Sequence, residues 1–135
     1  MKVFLLIFLL ASAFLTTCYL ITQFLAAIAR RKLPPKGKFT KVTGGKIHWT
    51  DNGEGETILL LHGLGGNHHN FNYMISELAK HYRVISIDRI GSAWSSRESV
   101  GFAGITTQAE AIADFIEKEQ LQRPLLVGHS LGGAF

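Results

Sequence analysis

Cysteine is almost missing from this chain: Cys18 is the only one, so no internal disulfide can form. No group of cysteines and histidines has metal-ligand spacing, and the adjacent pair His68-His69 is too little to make a metal site. The glycine-rich run Gly63–Gly66 lacks the lysine and hydroxyl residue that a phosphate-binding loop requires. There is no internal repeat and no low-complexity tract. No cofactor is expected. Charge is missing altogether from Val3 to Ala29, an unbroken run of 27 residues.

What charge there is lies unevenly. The formal net charge is +4, yet beyond Lys41 there are seven basic and ten acidic residues. The excess sits in Arg30, Arg31, Lys32, Lys36, Lys38 and Lys41. The high isoelectric point therefore reflects a cluster beside an apolar run, and nucleic acid is not expected as a partner. Such a cluster attracts anionic headgroups, and it also serves as a stop-transfer and topology signal, the reading preferred here.

The uncharged run exceeds the roughly 20 residues needed to cross a bilayer. It reads as a single-pass anchor contacting lipid through residues 3–29. The competing reading is a signal peptide cleaved after Ala11-Ser12-Ala13, against which the apolar run continues sixteen residues past Ala13. Leu15-Thr16-Thr17 before Cys18 makes a poor lipoprotein processing site, because Thr17 is larger than the usual small residue. The basic flank after the run mildly favours a domain on the cytoplasmic side; a signal-anchor with the domain outside is the alternative. The expected organisation is a transmembrane anchor with basic flank (1–32), a linker (33–38) and a partial α/β domain (39–135).

Within the last part, Phe39–Thr43, Gly44-Gly45 and Lys46–Thr50 read as a hairpin with a two-residue turn. Asp51–Gly55 reads as a second turn. The apolar run Thr57–Leu61 has strand length and suits a buried central strand. Asn70–His81 has helical spacing, with Phe71, Met74, Ile75 and Leu78 on one face. Arg83–Ile87 is another strand. Thr107-Gln108-Ala109-Glu110 matches a capping box opening a helix to about Gln120, with Ala109, Ile112, Ala113, Phe115 and Ile116 facing a core. Leu125–Val127 reads as a last, buried strand. Strands alternating with helices predict an α/β architecture with a mostly parallel sheet.

That last strand runs into Gly128-His129-Ser130-Leu131-Gly132. A G-x-S-x-G sequence between strand and helix marks a nucleophile elbow, which holds a serine in a strained turn with its hydroxyl clear of the sheet. Gly128 and Gly132 keep side chains out of the space beside the turn. A serine hydroxyl is a weak nucleophile at neutral pH and needs a base, plus donors aimed at the developing oxyanion. One donor is expected from the Leu131 N–H, directly after Ser130. The second is expected from the loop after Thr57–Leu61, at Leu64 with Gly63 next.

Three motifs in order, His62-Gly63, Asp88–Ser95 and Gly128–Gly133, resemble the N-terminal half of an α/β-hydrolase-fold protein over roughly Phe39–Phe135. The middle motif is similar to D-x-x-G-x-G-x-S through Asp88, Gly91 and Ser95, with Ala93 where a second glycine is usual. The resemblance implies a later acid and a later histidine base, in the order Ser, Asp/Glu, His. No present histidine suits that role. His129 is locked into the elbow, and His62 belongs to the donor loop and orders it. His68 and His69 read as loop residues open to solvent; His48 and His81 read as structural or exposed. Asp88 and Asp114 read as structural. A serine at the elbow argues against the dehalogenase and epoxide-hydrolase branches of the fold, which are similar but use an aspartate there.

The expected function is a membrane-anchored serine hydrolase acting on a small apolar ester or lipid-like substrate, in an incomplete chain inactive by itself. Carbon–carbon hydrolysis, amide hydrolysis and cofactor-free peroxidation stay open on the same architecture. The rival expectation is a non-catalytic membrane-bound interaction module or an inactive truncation. In either case the open sheet edge needs a missing C-terminal half or a partner to cover it.

Overall fold

The uncharged run is helical throughout. In the computed structural model, which describes residues 2–32 and 34–135, helix α1 spans Lys2–Lys32. Met1 and Leu33, the first residue of the expected linker, lie outside the described residues. At 1.5 Å per residue, α1 is about 46 Å long, against about 30 Å of hydrocarbon in a bilayer. None of its described side chains is buried. Two threonine hydroxyls fold back onto the helix: Thr17 Oγ1 donates to the Ala13 carbonyl (2.9 Å) and Thr22 Oγ1 to that of Cys18 (2.8 Å). Such bonds satisfy a hydroxyl without solvent. By length and composition α1 can cross a membrane, a test that a signal sequence also passes.

Pro35–Phe135 is a separate unit. Its strands are β1 (Lys38–Val42), β2 (Gly45–Asn52), β3 (Thr57–Leu61), β4 (Arg83–Asp88), β5 (Ser96–Arg97) and β6 (Leu125–Gly128), and its helices are α2 (Asn72–Leu78) and α3 (Ile105–Lys118). The sheet order is β1-β2-β4-β3-β6, with β5 pairing β2. β4, β3 and β6 are parallel; β1 and β2 are antiparallel to their neighbours. This is the α/β architecture the alternation predicts.

Strand alternation sorts the core into two layers. Leu59, Leu61, Ile85 and Ile87 join Ile47, Trp49 and the α3 residues Ala111, Ile112 and Phe115 on one face. Ile58, Leu60 and Val84 join Phe71, with Ile75 and Leu78 of α2 against them, on the other. Trp49 meets Phe115 edge-on at 5.4 Å. Arg83 holds Asp51 with two bonds, Nε to Oδ1 (3.0 Å) and Nη2 to Oδ2 (2.8 Å), pinning β2 to β4.

Several local expectations are corrected. The hairpin turn is Thr43-Gly44, because Val42 pairs Gly45; Gly44 supplies the positive φ of +78°. Asp51 and Asn52 continue β2, since β4 offers them partners. The helix expected over 70–81 is a 3₁₀ turn, His68–Phe71, followed by the short α2. Asn67 caps the turn: its side chain accepts from His69 N–H (2.9 Å), and its own N–H donates to Asn70 Oδ1 (2.9 Å). Met74 is exposed. α3 starts at Ile105 with Gly104 as cap, and Thr107 Oγ1 donates back to the Gly104 carbonyl (3.0 Å), so the expected capping box does not form. Gln108 and Ala111 face the core, and Ala113 is exposed. β6 is an edge strand with one neighbour, β3, among the described residues, so Leu125 is 63% exposed instead of buried.

Candidate active site

The sheet order brings the three motifs together. The register aligns Leu61 with Ile87 on one side and with Gly128 on the other. The loops that begin at His62, Arg89 and His129 therefore leave three adjacent parallel strands at the same level, at their carboxyl ends. That is the edge at which open α/β sheets build their sites.

At the elbow, Ser130 has φ of +54°. For an L-residue this left-handed conformation costs about 1–2 kcal/mol, held here by two backbone bonds. His129 N–H donates to the Leu61 carbonyl (3.0 Å) and Gly132 N–H to that of His129 (2.9 Å). The glycine spacing has a steric cause. A Cβ on Gly128 would stand 2.3 Å from the Gly132 oxygen, and one on Gly132 would stand 2.1 Å from the Leu61 oxygen. A single 3₁₀ stretch, Ser130–Ala134, follows. No histidine is hydrogen-bonded to Ser130 Oγ among the described residues.

The loop after β3, His62–Gly66, lies against the elbow. A Cβ on Gly63 would be 3.0 Å from Ser130 Cβ and 3.1 Å from the His129 oxygen. Gly66 N–H donates to the Gly63 carbonyl (3.3 Å), and Gly65 takes φ of +70°. The Leu64 side chain is 85% exposed at the tip. His62 is fully buried: Arg89 N–H donates to its Nε2 (3.1 Å), so Nδ1 carries the proton and donates to the Gly63 carbonyl (2.8 Å). Burial, with the Arg89 charge adding to it, pushes the His62 pKa down.

Arg89 is a site-building residue that the sequence did not disclose. Its buried guanidinium donates from Nε to the His62 carbonyl (2.9 Å) and from Nη2 to that of Gly63 (3.1 Å), with Nη1 3.4 Å from Gln108 Oε1. Gln108 in turn donates to the Ile90 carbonyl (3.2 Å). One side chain thus clamps the loop that faces Ser130. Its only sequence signal is its place after Asp88 at a strand end.

Asp88 is the hub of a second cluster. Oδ1 accepts from His68 N–H (2.8 Å) and His68 Nδ1 (2.9 Å); Oδ2 accepts from His48 Nδ1 (2.9 Å) and, more weakly, from Trp94 N–H (3.4 Å). Burial alone would raise this carboxyl. The bonds from His68, the His68 charge and the bond from His48 outweigh burial and hold the pKa at about 2. His68 is therefore not a solvated loop residue, and His48 is buried in the same network; His69 and His81 are exposed. His48, His68 and Asp88 are also the side chains whose ligand atoms come together, within 4.8 Å. The carboxylate already accepts from both rings, so the cluster is complete as a hydrogen-bond network. Ser95 completes its frame, accepting from His48 N–H (2.7 Å) and donating to the Asp88 carbonyl. Gly91 (φ +80°) and Ala93 (φ +43°) shape the loop between them, with the Arg97 side chain packed over Gly91.

Ser130, Leu131, Gly128, Gly132, His62, Gly63 and Leu64 thus gather at one edge, while Asp88 and Gly91 form the frame beside it. An open hollow of about 290 Å³ adjoins the elbow, lined by Asn70, Phe71, Met74, Val127, Gly128 and His129.

Fold, strand-end loops and glycine-framed serine define an α/β-hydrolase half-sheet. Residues 56–135 match the model of the alpha/beta hydrolase fold family, and the chain belongs to that family. It is 32% identical over 100 residues to an uncharacterized protein of Mycobacterium tuberculosis, covering 74% of this chain and 29% of the relative. It is 30% identical over 88 residues to a putative carbamate hydrolase, RutD, of Agrobacterium fabrum, covering 65% and 34%. Among solved structures it is similar to the epoxide hydrolase VrEH1 of Vigna radiata, with a TM-score of 0.67 and 26% identity over 72% of this chain and 32% of that one. Cfl2 of Burkholderia cenocepacia superposes with a TM-score of 0.66 at 30% identity, over 71% and 33%. The chain spans about a third of the length of these relatives.

Proposed function

We propose that this chain carries the nucleophile half of a membrane-anchored serine hydrolase acting on acyl esters. The observation that supports this most directly is the approach of Gly63 to Ser130, so close that a Cβ at Gly63 would stand 3.0 Å from Ser130 Cβ. It brings the glycine-rich backbone close to Ser130, which supports a role in oxyanion stabilisation. Ser130 Oγ attacks the ester carbonyl while the N–H groups of Leu64 and Leu131, with Gly63 next, receive the negative charge. The alcohol leaves, and water releases the acid from the serine ester. The proton on Ser130 Oγ goes to a histidine supplied from outside these 135 residues. The family and the serine at the elbow support hydrolysis; α1 supports a substrate that partitions near lipid. A carbamate, the group in the name of the RutD relative, uses the same nucleophile and donors.

The test is a fluorophosphonate probe applied to the longest product of the gene and to the 135-residue chain, with the labelled residue mapped. Labelling at Ser130 in a longer product, and none in the short chain, is the expected result. Labelling of neither rejects the hydrolase reading and turns attention to a binding role. Turnover of a short-chain aryl ester by the 135-residue chain, lost in Ser130→Ala, overturns the need for an external base.

A further inference from the structure

We infer that the β1–β2 hairpin docks on the anionic surface of the bilayer that α1 crosses; the inference rests on the anchor reading of α1. No acidic residue occurs before Asp51, whereas Arg30, Arg31, Lys32, Lys36, Lys38, Lys41 and Lys46 do. The basic run therefore does not stop at the end of α1 but continues onto folded structure. Lys36, Lys38, Lys41 and Lys46 are all exposed. Lys38 is within 3.6 Å of Asp51. Lys41 and Lys46 have no acidic partner among the described residues.

The register sets Lys41 directly opposite Lys46. Like charges facing across an antiparallel pair cost stability, so folding alone does not account for this pair. Beside it, Phe39 is 41% exposed, with Lys46 Nζ 4.4 Å from its ring centroid. An open aromatic ring under the unpaired Lys46 ammonium matches the headgroup region, where rings settle at the interface and each lysine gains about 1 kcal/mol from anionic lipid.

The connection to α1 is short on the side of this patch. The Lys36 carbonyl oxygen lies 3.2 Å from His48 Nε2, and His48 pairs Phe39. Gly37 (φ +135°) lies so tightly on β2 that a Cβ would be 2.3 Å from the Trp49 oxygen. The chain thus joins the folded unit beside Phe39. Four residues, fully extended, carry it at most about 14 Å from Lys32 to Lys36.

The lone cysteine makes the test direct. The full chain is reconstituted into vesicles of phosphatidylcholine alone or of phosphatidylcholine mixed with anionic phosphatidylserine. A nitroxide is placed on native Cys18, or on Phe39→Cys in a Cys18→Ser background, its apolar ring standing in for the phenyl. Collision rates with oxygen and with a water-soluble nickel chelate are then read. The expected result is an oxygen-rich, chelate-poor site at 18 in both lipids, and protection from the chelate at 39 only with phosphatidylserine, lost in 1 M salt as screening shortens to about 3 Å. Lys46→Glu changes two charges and should lower the docked-to-free ratio about 30-fold. The same variant makes the cross-strand pair attractive, so its unfolding midpoint in detergent should rise; Lys80→Ala, off the patch, should leave protection at 39 unchanged. Equal chelate access at 39 in both lipids, with 18 in hydrocarbon, overturns docking alone. Chelate access at 18 overturns the anchor reading and docking with it.

Discussion

Single residues in this chain hold conformations or charges that make sense only through their neighbours. Ala93 has φ of +43°, a left-handed conformation on an L-residue. Glycine enters that region freely, so Ala93→Gly should relieve about 1 kcal/mol of strain, reduced by the looser unfolded chain. A raised denaturation midpoint checks this. Gly132 is the opposite case, because any Cβ collides with the Leu61 oxygen at 2.1 Å. Gly132→Ala should cost several kcal/mol, about 2–3 or more, by breaking the elbow's contact with β3, seen as a lost unfolding transition or a sharply lower midpoint. The sequence singled out Gly132 through its motif. It did not disclose Arg89, whose three acceptors lie on two other segments, or His48 and His68, which meet Asp88 from 40 and 20 residues away. No local pattern encodes such partners.

At the scale of elements, hydrophobic runs and turn residues located most strands, while boundaries shifted wherever a neighbour supplied or withheld partners. β2 lengthens because β4 is there to pair it. α3 begins early because Gly104 accepts from Gln108 N–H (3.0 Å), closing the first turn. β6 reads as buried because Leu125–Val127 is apolar, yet apolarity cannot tell a central strand from an edge. Among the described residues its outer edge is unpaired, an arrangement that invites pairing between chains. Leu125→Lys, at a side chain already largely exposed, should reduce concentration-dependent self-association in detergent without lowering the denaturation midpoint. Sedimentation velocity over a range of concentrations reads the first and chemical denaturation the second.

For the whole molecule, two buried groups set the acid limit. His62 is held neutral, so below about pH 6.5 the unfolded chain takes up a proton that the folded chain resists, and stability falls as pH drops. Asp88, held at about 2, adds a second loss that begins near pH 4–5 and is complete only below pH 2. Its lowered pKa corresponds to roughly 2 kcal/mol at neutral pH. Denaturation midpoints against pH should therefore show two descending limbs. Asp88→Asn should lower the midpoint at pH 7 and flatten the lower limb; a lower limb unchanged in that variant would place the acid-labile group elsewhere. By itself the sequence determined the apolar helix, the basic run beyond it, the alternation of strands and helices, and the serine on its glycine-framed turn. These are encoded in adjacent residues, where local sterics and periodicity act. Only the tertiary structure decided that β3 lies between β4 and β6, and that Arg89 and Asp88 organise the loops beside Ser130. Those outcomes depend on hydrogen-bond partners and burial contributed by segments far apart in the chain.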